Sequence, residues 1–182
     1  MCVHPLIIIS GNSAGGKTSL MRRIMENEVL SLTSRIIRDG EKDEFDYRFT
    51  TKQRFQRLIE KNKLAEWAPY GDSFYGIEKE ELENKLHKGP AFSIVTYEGM
   101  KRLKELYPDA LSIFIYTTKE EALKGLQKRG ESPEQIQKRM SSYDEELSRK
   151  GEYDFVIRNK HGKFEETVHI LQSIIDMELT KE

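Results

Sequence analysis

The sequence predicts an α/β fold: a parallel sheet flanked by helices, carrying an inserted polar lobe and a charge-dense flap. Three observations lead there. Residues 6–10, 91–96 and 111–116 are short, continuously apolar runs, the pattern of strands buried on both faces. Stretches of helical spacing alternate with them, as crossovers between parallel strands do. A loop of small residues, 11–16, joins the first run to the first helical stretch.

Taken in order, a helix follows that loop over residues 17–27. A second, over 51–62, places Phe55, Leu58 and Ile59 on one face, and a third spans 78–87. Gly89-Pro90 bounds the strand at 91–96, and the helix at 100–106 is closed by Pro108. After the strand at 111–116, Thr118 caps a helix with Glu121 three residues on, a capping-box pattern. Ser132-Pro133 opens one long charged helix to about residue 150. A short strand at 155–157 and an amphipathic helix at 164–177 complete the chain. Residues 31–75 break the rhythm. They are polar, rich in Arg, Asp and Tyr, with short strand-like pieces, and read as an inserted lobe. Residues 125–150 read as a mobile flap. No linker divides the chain, and 182 residues suit one domain.

Composition narrows the function classes. Hydrophobic residues are 37% and charged residues 34%, too polar for a membrane protein and too periodic for a disordered one. Lys plus Arg count 30 against 31 Asp plus Glu, so no basic excess points to nucleic acid. The single cysteine, Cys2, excludes internal disulfides and a cysteine zinc cluster; it is expected to be inert, in a reducing, cytoplasmic setting. The apolar run at 6–9 is too short to span a bilayer, and no leader segment is expected. His4, His87, His161 and His169 lack ligand spacing and receive no role; Met100 and Met140 read as packing residues.

Gly11-Asn12-Ser13-Ala14-Gly15-Gly16-Lys17-Thr18 fits the phosphate-loop pattern G-x-x-x-x-G-K-[ST]. Glycines let backbone N–H groups turn toward phosphate oxygens, and the helix N-terminus adds its dipole. Lys17 is expected at the β/γ-phosphates and Thr18 on Mg²⁺. With glycine near 7% of residues, a chance match in a chain this long is on the order of 1%. The flanking strand and helix supply the required context.

Beyond the loop, Arg35 and Arg38 are spaced to hold one phosphate dianion from two sides. The stretch Ser31-Leu32-Thr33-Ser34-Arg35-Ile36-Ile37-Arg38-Asp39-Gly40-Glu41 is followed by Asp46-Tyr47-Arg48-Phe49, Glu66-Trp67 and Phe74-Tyr75-Gly76. In that order and spacing, the chain resembles the guanylate kinase family, whose pattern is a phosphate loop, S-x-x-[ST]-R-x-x-R-x-G-E, D-Y-x-F, E-W and Y-Y-G. Lys128-Arg129-Gly130 and Lys138-Arg139 are similar to the family's lid, and Ile157-Arg158-Asn159 to its late strand. The resemblance covers essentially the whole chain.

The resemblance implies a P-loop kinase core at about residues 1–30, 84–124 and 151–182, a monophosphate-binding lobe at about 31–83 and a lid at about 125–150. It implies transfer of the γ-phosphoryl of ATP to GMP or dGMP, with Mg²⁺. The ATP-binding residues would be Gly11 to Ser19, with Asn159 near the adenine. Arg35, Arg38, Tyr47 and Tyr75 would hold the GMP phosphate, Glu66 the guanine N1 and N2 hydrogens, and Ser31 guanine O6. Lys17, Arg35, Arg129 and Arg139 would form the catalytic set. The implied partners are small nucleotides, with neither nucleic acid nor membrane, and a homodimer is allowed for.

The chain departs from the family at several points. Ile94 and Thr96 stand at the two aspartate positions of D-x-D-x-Q-G, and Glu98 replaces the glutamine. Ile77 follows Tyr75-Gly76 where a Ser or Thr usually donates to O6, and Gly125 replaces a lid-helix arginine. Ile36-Ile37 replaces the common Lys-Pro. These changes bear on efficiency and base specificity. Two alternatives stand beside the main reading: a divergent kinase of this fold with another phosphorylated acceptor, and a non-catalytic binding module. The intact Lys17-Thr18 opposes the second.

Overall fold

The structure is a computed structural model that describes residues 4–70 and 72–180, with only the backbone at Tyr70. Cys2 lies outside the described residues. The chain divides into two compact units, Met1–Ile8 with Asn27–Ala110, and Ile9–Glu26 with Leu111–Glu182. Strand β1 (Leu6–Ser10) carries the chain from one unit to the other. Its five residues are all buried, as the unbroken apolar run requires.

In the first unit a sheet of order β3-β2-β5-β4 is built from β2 (Leu32–Thr33), β3 (Arg48–Phe49), β4 (Leu64–Tyr70) and β5 (Ser73–Glu78). β4 and β5 form an antiparallel pair of seven and six residues, longer than the short pieces expected for this region. Their polar and aromatic composition conceals them, because it breaks the apolar alternation that marks a half-buried strand. Helix α2 (Lys52–Glu60) starts where Thr51 accepts from the Arg54 N–H. It buries Phe55 against Leu32 and Leu64, with Leu58, Ile59 and Phe74 at the edge. The rings of Phe55 and Phe74 stack 5.4 Å apart. Helix α3 (Lys79–Lys88) leads to β6 (Ala91–Ile94). Helix α4 (Tyr97–Leu106) begins earlier than its apolar spacing suggests, because Thr96 caps it through the Gly99 N–H.

In the second unit, helix α1 (Lys17–Ile24) packs on α8 (Phe164–Leu179). β7 (Leu111–Tyr116) pairs in parallel with β8 (Phe155–Arg158). The parallel sheet flanked by helices has the order β6-β1-β7-β8. The capping box at Thr118 and Glu121 opens α5 (Lys119–Lys128). The single long helix expected from Ser132 onward is instead three pieces: α6 (Pro133–Ser141), α7 (Tyr143–Ser148) and a 3₁₀ turn at Arg149–Glu152. The hydroxyls of Ser141 and Ser142 donate to the carbonyls of Lys138 and Arg139, competing with the helix ladder at the break.

Candidate active site

The candidate residues fall into two sets, one in each unit. In the second unit the loop after β1 turns sharply at Gly11, whose φ is +139°. A Cβ there would lie 1.8 Å from the Ile115 carbonyl oxygen, so only glycine fits. Ala14 also holds a positive φ, 60°, where a non-glycine residue is strained. Asn12 is fully buried: its side chain donates to the Thr117 carbonyl at 3.1 Å and accepts from the Thr117 N–H at 3.3 Å. Tyr143 donates to that same carbonyl at 2.7 Å. The loop is therefore anchored on one side by the turn after β7.

The other side is fixed by Asn159. Its amide donates to the Gly15 carbonyl at 3.0 Å, and its oxygen accepts from Thr167. A Cβ on Gly16 would lie 2.6 Å from that amide nitrogen. Among the described residues, the backbone N–H groups of Ser13, Ala14 and Gly16 donate to no backbone carbonyl. Helix α1 starts at Gly16 with no side-chain cap and no acidic residue in its first turn. Together these leave a positive backbone concavity, the geometry that receives phosphate. Thr18 and Ser19 are exposed in that first turn.

Lys17 donates to the carbonyls of Gly11 at 2.7 Å and Asn12 at 2.8 Å. Burial pushes its ammonium down to about 8; Glu146 opposes the shift, while Arg129 and Arg139 add to it. Arg129 and Arg139 are thus close enough to act electrostatically on Lys17. Arg129 is exposed at the end of α5, and Arg139 Nε lies 2.6 Å from Glu131 Oε2. One oxygen each of Glu131 and Glu146 is buried without an aligned hydrogen bond. For Glu131 the ion pair is close but off the hydrogen-bond direction. Gly125 faces the loop: a Cβ there would sit 3.1 Å from that of Ala14, so α5 approaches closely where the family carries an arginine.

In the first unit Arg35 is boxed in. Nε donates to the Tyr75 hydroxyl at 3.1 Å. Nη1 and Nη2 grip Glu41 at 2.9 and 2.8 Å, and Nη1 also donates to the Ile36 carbonyl. Tyr47 and Phe49 lie against the guanidinium at 5.4 and 5.6 Å. Burial disfavours this charge, but the bonds to Glu41 and Tyr75 outweigh it and raise the guanidinium above its usual value. Arg38 is exposed, and its backbone N–H donates to Glu41. Ser31 is half-buried, and its carbonyl accepts from Arg48. Thr33 and Ser34 are buried polar residues that tie the arginine strand to Phe74, through Thr33 to the Phe74 carbonyl and from the Phe74 N–H to Ser34.

Glu66, on the edge strand β4, is buried to 7% exposure and makes no hydrogen bond or ion pair among the described residues. Burial alone pushes its carboxyl up to about 7. Its cross-strand partner is Ile77, which is fully buried. Paired residues point to the same face, which puts the Ile77 side chain on the Glu66 side of the sheet. Gly99, the first buried residue of α4, stands behind it; a Cβ there would meet Glu66 Oε2 at 3.0 Å. Glu41, Gly99, Glu131 and Glu146 are the neighbours that residue-by-residue reading leaves without a role. Glu41 and Gly99 stood within recognised patterns, Glu41 closing R-x-x-R-x-G-E and Gly99 closing D-x-D-x-Q-G, while Glu131 and Glu146 stood in none.

Known proteins match this chain over nearly its whole length. The guanylate kinase family profile matches residues 4–178. The chain belongs to the guanylate kinase family. The guanylate kinase of Prochlorococcus marinus subsp. pastoris is 34% identical over 178 residues, covering 93% of this chain and 96% of the relative. That of Rickettsia bellii is 34% identical over 184 residues, covering 97% and 95%. The crystal structure of guanylate kinase from Anaplasma phagocytophilum superposes with a TM-score of 0.75 at 26% identity, covering all of this chain and 89% of that one. Guanylate kinases are ATP-dependent nucleoside monophosphate kinases that phosphorylate GMP.

Proposed function

We propose that this chain transfers the γ-phosphoryl of ATP to GMP, and to dGMP, giving ADP and the nucleoside diphosphate. The observation that carries the guanine assignment is Glu66, a buried carboxylate with nothing of its own to accept from. Guanine offers two adjacent N–H donors, at N1 and N2, that match two carboxylate oxygens. Adenine presents a lone pair at N1 instead. Cytosine has no ring donor beside its amino group, and uracil offers one N–H. A base that leaves the carboxylate dry and unpaired is penalised.

Arg35, Arg38, Tyr47 and Tyr75 hold the GMP phosphate in this reading, and Ser31 reaches O6. Ile77 brings no hydroxyl to that edge of the base. Gly11 to Ser19 receive the ATP phosphates through backbone N–H groups and Lys17. Lys17 must exchange its carbonyl partners, Gly11 and Asn12, for phosphate oxygens, and a nearby polyanion favours its charged form, against the burial that lowers it to about 8. Arg129 and Arg139 neutralise charge on the phosphoryl group in flight, which is where this chemistry gains most. Asn159 holds the loop from the side and lies beside the adenine.

Among the described residues, no cluster of three or more His, Cys, Asp or Glu could hold a metal on its own. The donor set suits Mg²⁺, which binds through few protein oxygens, nucleotide phosphates and water. Thr18, exposed in the first turn of α1, would hold it; the ion supplies charge neutralisation across the phosphates. Among the described residues no helix is long and apolar enough to cross a membrane. We place the protein in the cytoplasm with nucleotides as its partners, and allow for a homodimer.

A coupled ADP-release assay across GMP, dGMP, AMP, CMP and UMP tests the reading. GMP should give the highest kcat/KM. Should AMP, CMP or UMP outrun it, the acceptor is another nucleotide and Glu66 does not read guanine.

A further inference from the structure

Arg35 has five N–H donors arranged along two edges of a rigid plane. The outer edge, Nη1 with Nη2, is filled by both oxygens of Glu41 at 2.9 and 2.8 Å. The face of the plane is covered by Tyr47 and Phe49. What remains is the inner edge, Nε with Nη2, and the Tyr75 hydroxyl lies 3.1 Å from its Nε. The same Glu41 oxygen that takes Nη1 also accepts from the Arg38 backbone N–H, and the Glu41 N–H donates back to the Arg38 carbonyl at 3.1 Å. One carboxylate therefore fixes the plane of the first arginine and the backbone that carries the second.

We propose that Glu41 is a positioning residue for the acceptor phosphate: it turns the inner edge of Arg35 toward the phosphate and holds Arg38 at the matching distance. This rests on the acceptor reading above. Glu41 touches no substrate in this account. A carboxylate on the outer edge leaves the remaining Nη2 hydrogen of the inner edge to the phosphate, beside the Tyr75 hydroxyl that Nε already holds, so one guanidinium can bind Glu41 and a phosphate oxygen together without exchanging them. Burial raises the proton affinity of Glu41, but its bonds from Arg35 and Arg38 outweigh this and keep it below the usual carboxylate range. It thus stays charged across the pH range in which a kinase works. The two exposed residues between the arginines, Ile36 and Ile37, cannot supply this rigidity, being 85% and 45% exposed.

The test compares a ligand that has the phosphate with one that lacks it. Wild type, Glu41→Ala and Glu41→Gln are measured for GMP affinity, for guanosine as a competitor of GMP, and for KM of GMP and of ATP. The expected result for Glu41→Ala is a GMP affinity at least tenfold weaker and a KM for GMP raised in step. Guanosine affinity and the KM for ATP should stay within about twofold. Glu41→Gln keeps one acceptor oxygen and should fall between wild type and Ala. It also covers the case in which the Ala variant fails to fold. Parallel weakening of guanosine would overturn the proposal, because it marks a collapse of the lobe. Tighter GMP binding would also overturn it, by showing Glu41 to be a competitor for Arg35, and so would unchanged GMP binding. A wild type that binds GMP no better than guanosine is a different failure: it removes the acceptor-phosphate reading itself.

Discussion

The residues proposed for the acceptor and those proposed for the donor hold their cations in opposite ways. In the acceptor set Arg35 is gripped by a carboxylate, a phenol and two rings before any ligand arrives. In the proposed donor set Lys17 rests on two backbone carbonyls, Arg129 follows the end of α5, and Arg139 sits on α6. No residue of α6 is buried. Helices with little buried apolar surface open locally at small free-energy cost. Under the proposed assignment, the contrast teaches that the acceptor side is built in advance, whereas the donor side gains its final form from the nucleotide.

The largest expected effect lies on the donor side. Lys17→Ala should lower kcat by about 10²–10³, a loss of about 3–4 kcal/mol of transition-state stabilisation, as for other removed electrostatic donors. Steady-state kinetics on a variant with wild-type thermal unfolding checks it, and near-normal turnover would remove the loop from the mechanism.

Next come the two arginines, which the contrast separates. Arg35→Ala strips a half-buried guanidinium and strands Glu41, so KM for GMP should rise about 100-fold, on the scale of two charge-assisted bonds. Arg38→Ala removes an exposed side chain and should cost nearer tenfold, on the scale of one such bond. Neither should move the KM for ATP by as much. Equal effects on ATP would put these arginines with the donor.

Glu66→Gln should trade function for stability. The native carboxyl titrates near 7 against an ordinary 4.5. Between those values the native state binds more protons than the unfolded state, so stability falls as pH rises through the window. Above pH 7 the full loss, about 3 kcal/mol, is present. Urea unfolding at pH 8 should therefore show the Gln variant more stable by up to that amount, and less so at pH 5. Equal stability of the two proteins at pH 8 would mean that Glu66 is better solvated than its burial implies.

The smallest effect concerns Ile77. Sequence comparison alone suggests that Ile77→Ser restores an O6 donor and tightens GMP. The structure adds that Ile77 is fully buried, so the hydroxyl enters an apolar site and should cost about 1–3 kcal/mol of stability. Thermal unfolding together with the KM for GMP separates the two consequences.

Much of this was legible in the residues. The phosphate loop, the buried strands β1 and β7, and the capping box at Thr118 declare themselves through local chemistry and fixed spacing. What stayed hidden depends on approach through space. Glu66 meets Gly99 across thirty-three positions of chain, and Asn159 meets Gly15 across 144. The break at Ser142 turns on two hydroxyls choosing carbonyls three residues back, a competition that composition does not decide. Glu41 sat in plain view, yet its bidentate grip on Arg35 follows from the fold of the turn.

The claim that the acceptor side waits with a buried, unpaired carboxylate is tested most directly by the ratio of GMP affinity in wild type to that in Glu66→Gln, measured from pH 5.5 to 8.5. The ratio cancels titration of the GMP phosphate, which both proteins share. With a carboxyl titrating near 7, the ratio should climb by about tenfold per pH unit well below 7 and level off above it. A ratio that stays constant across the range would show that guanine recognition does not pass through the Glu66 charge.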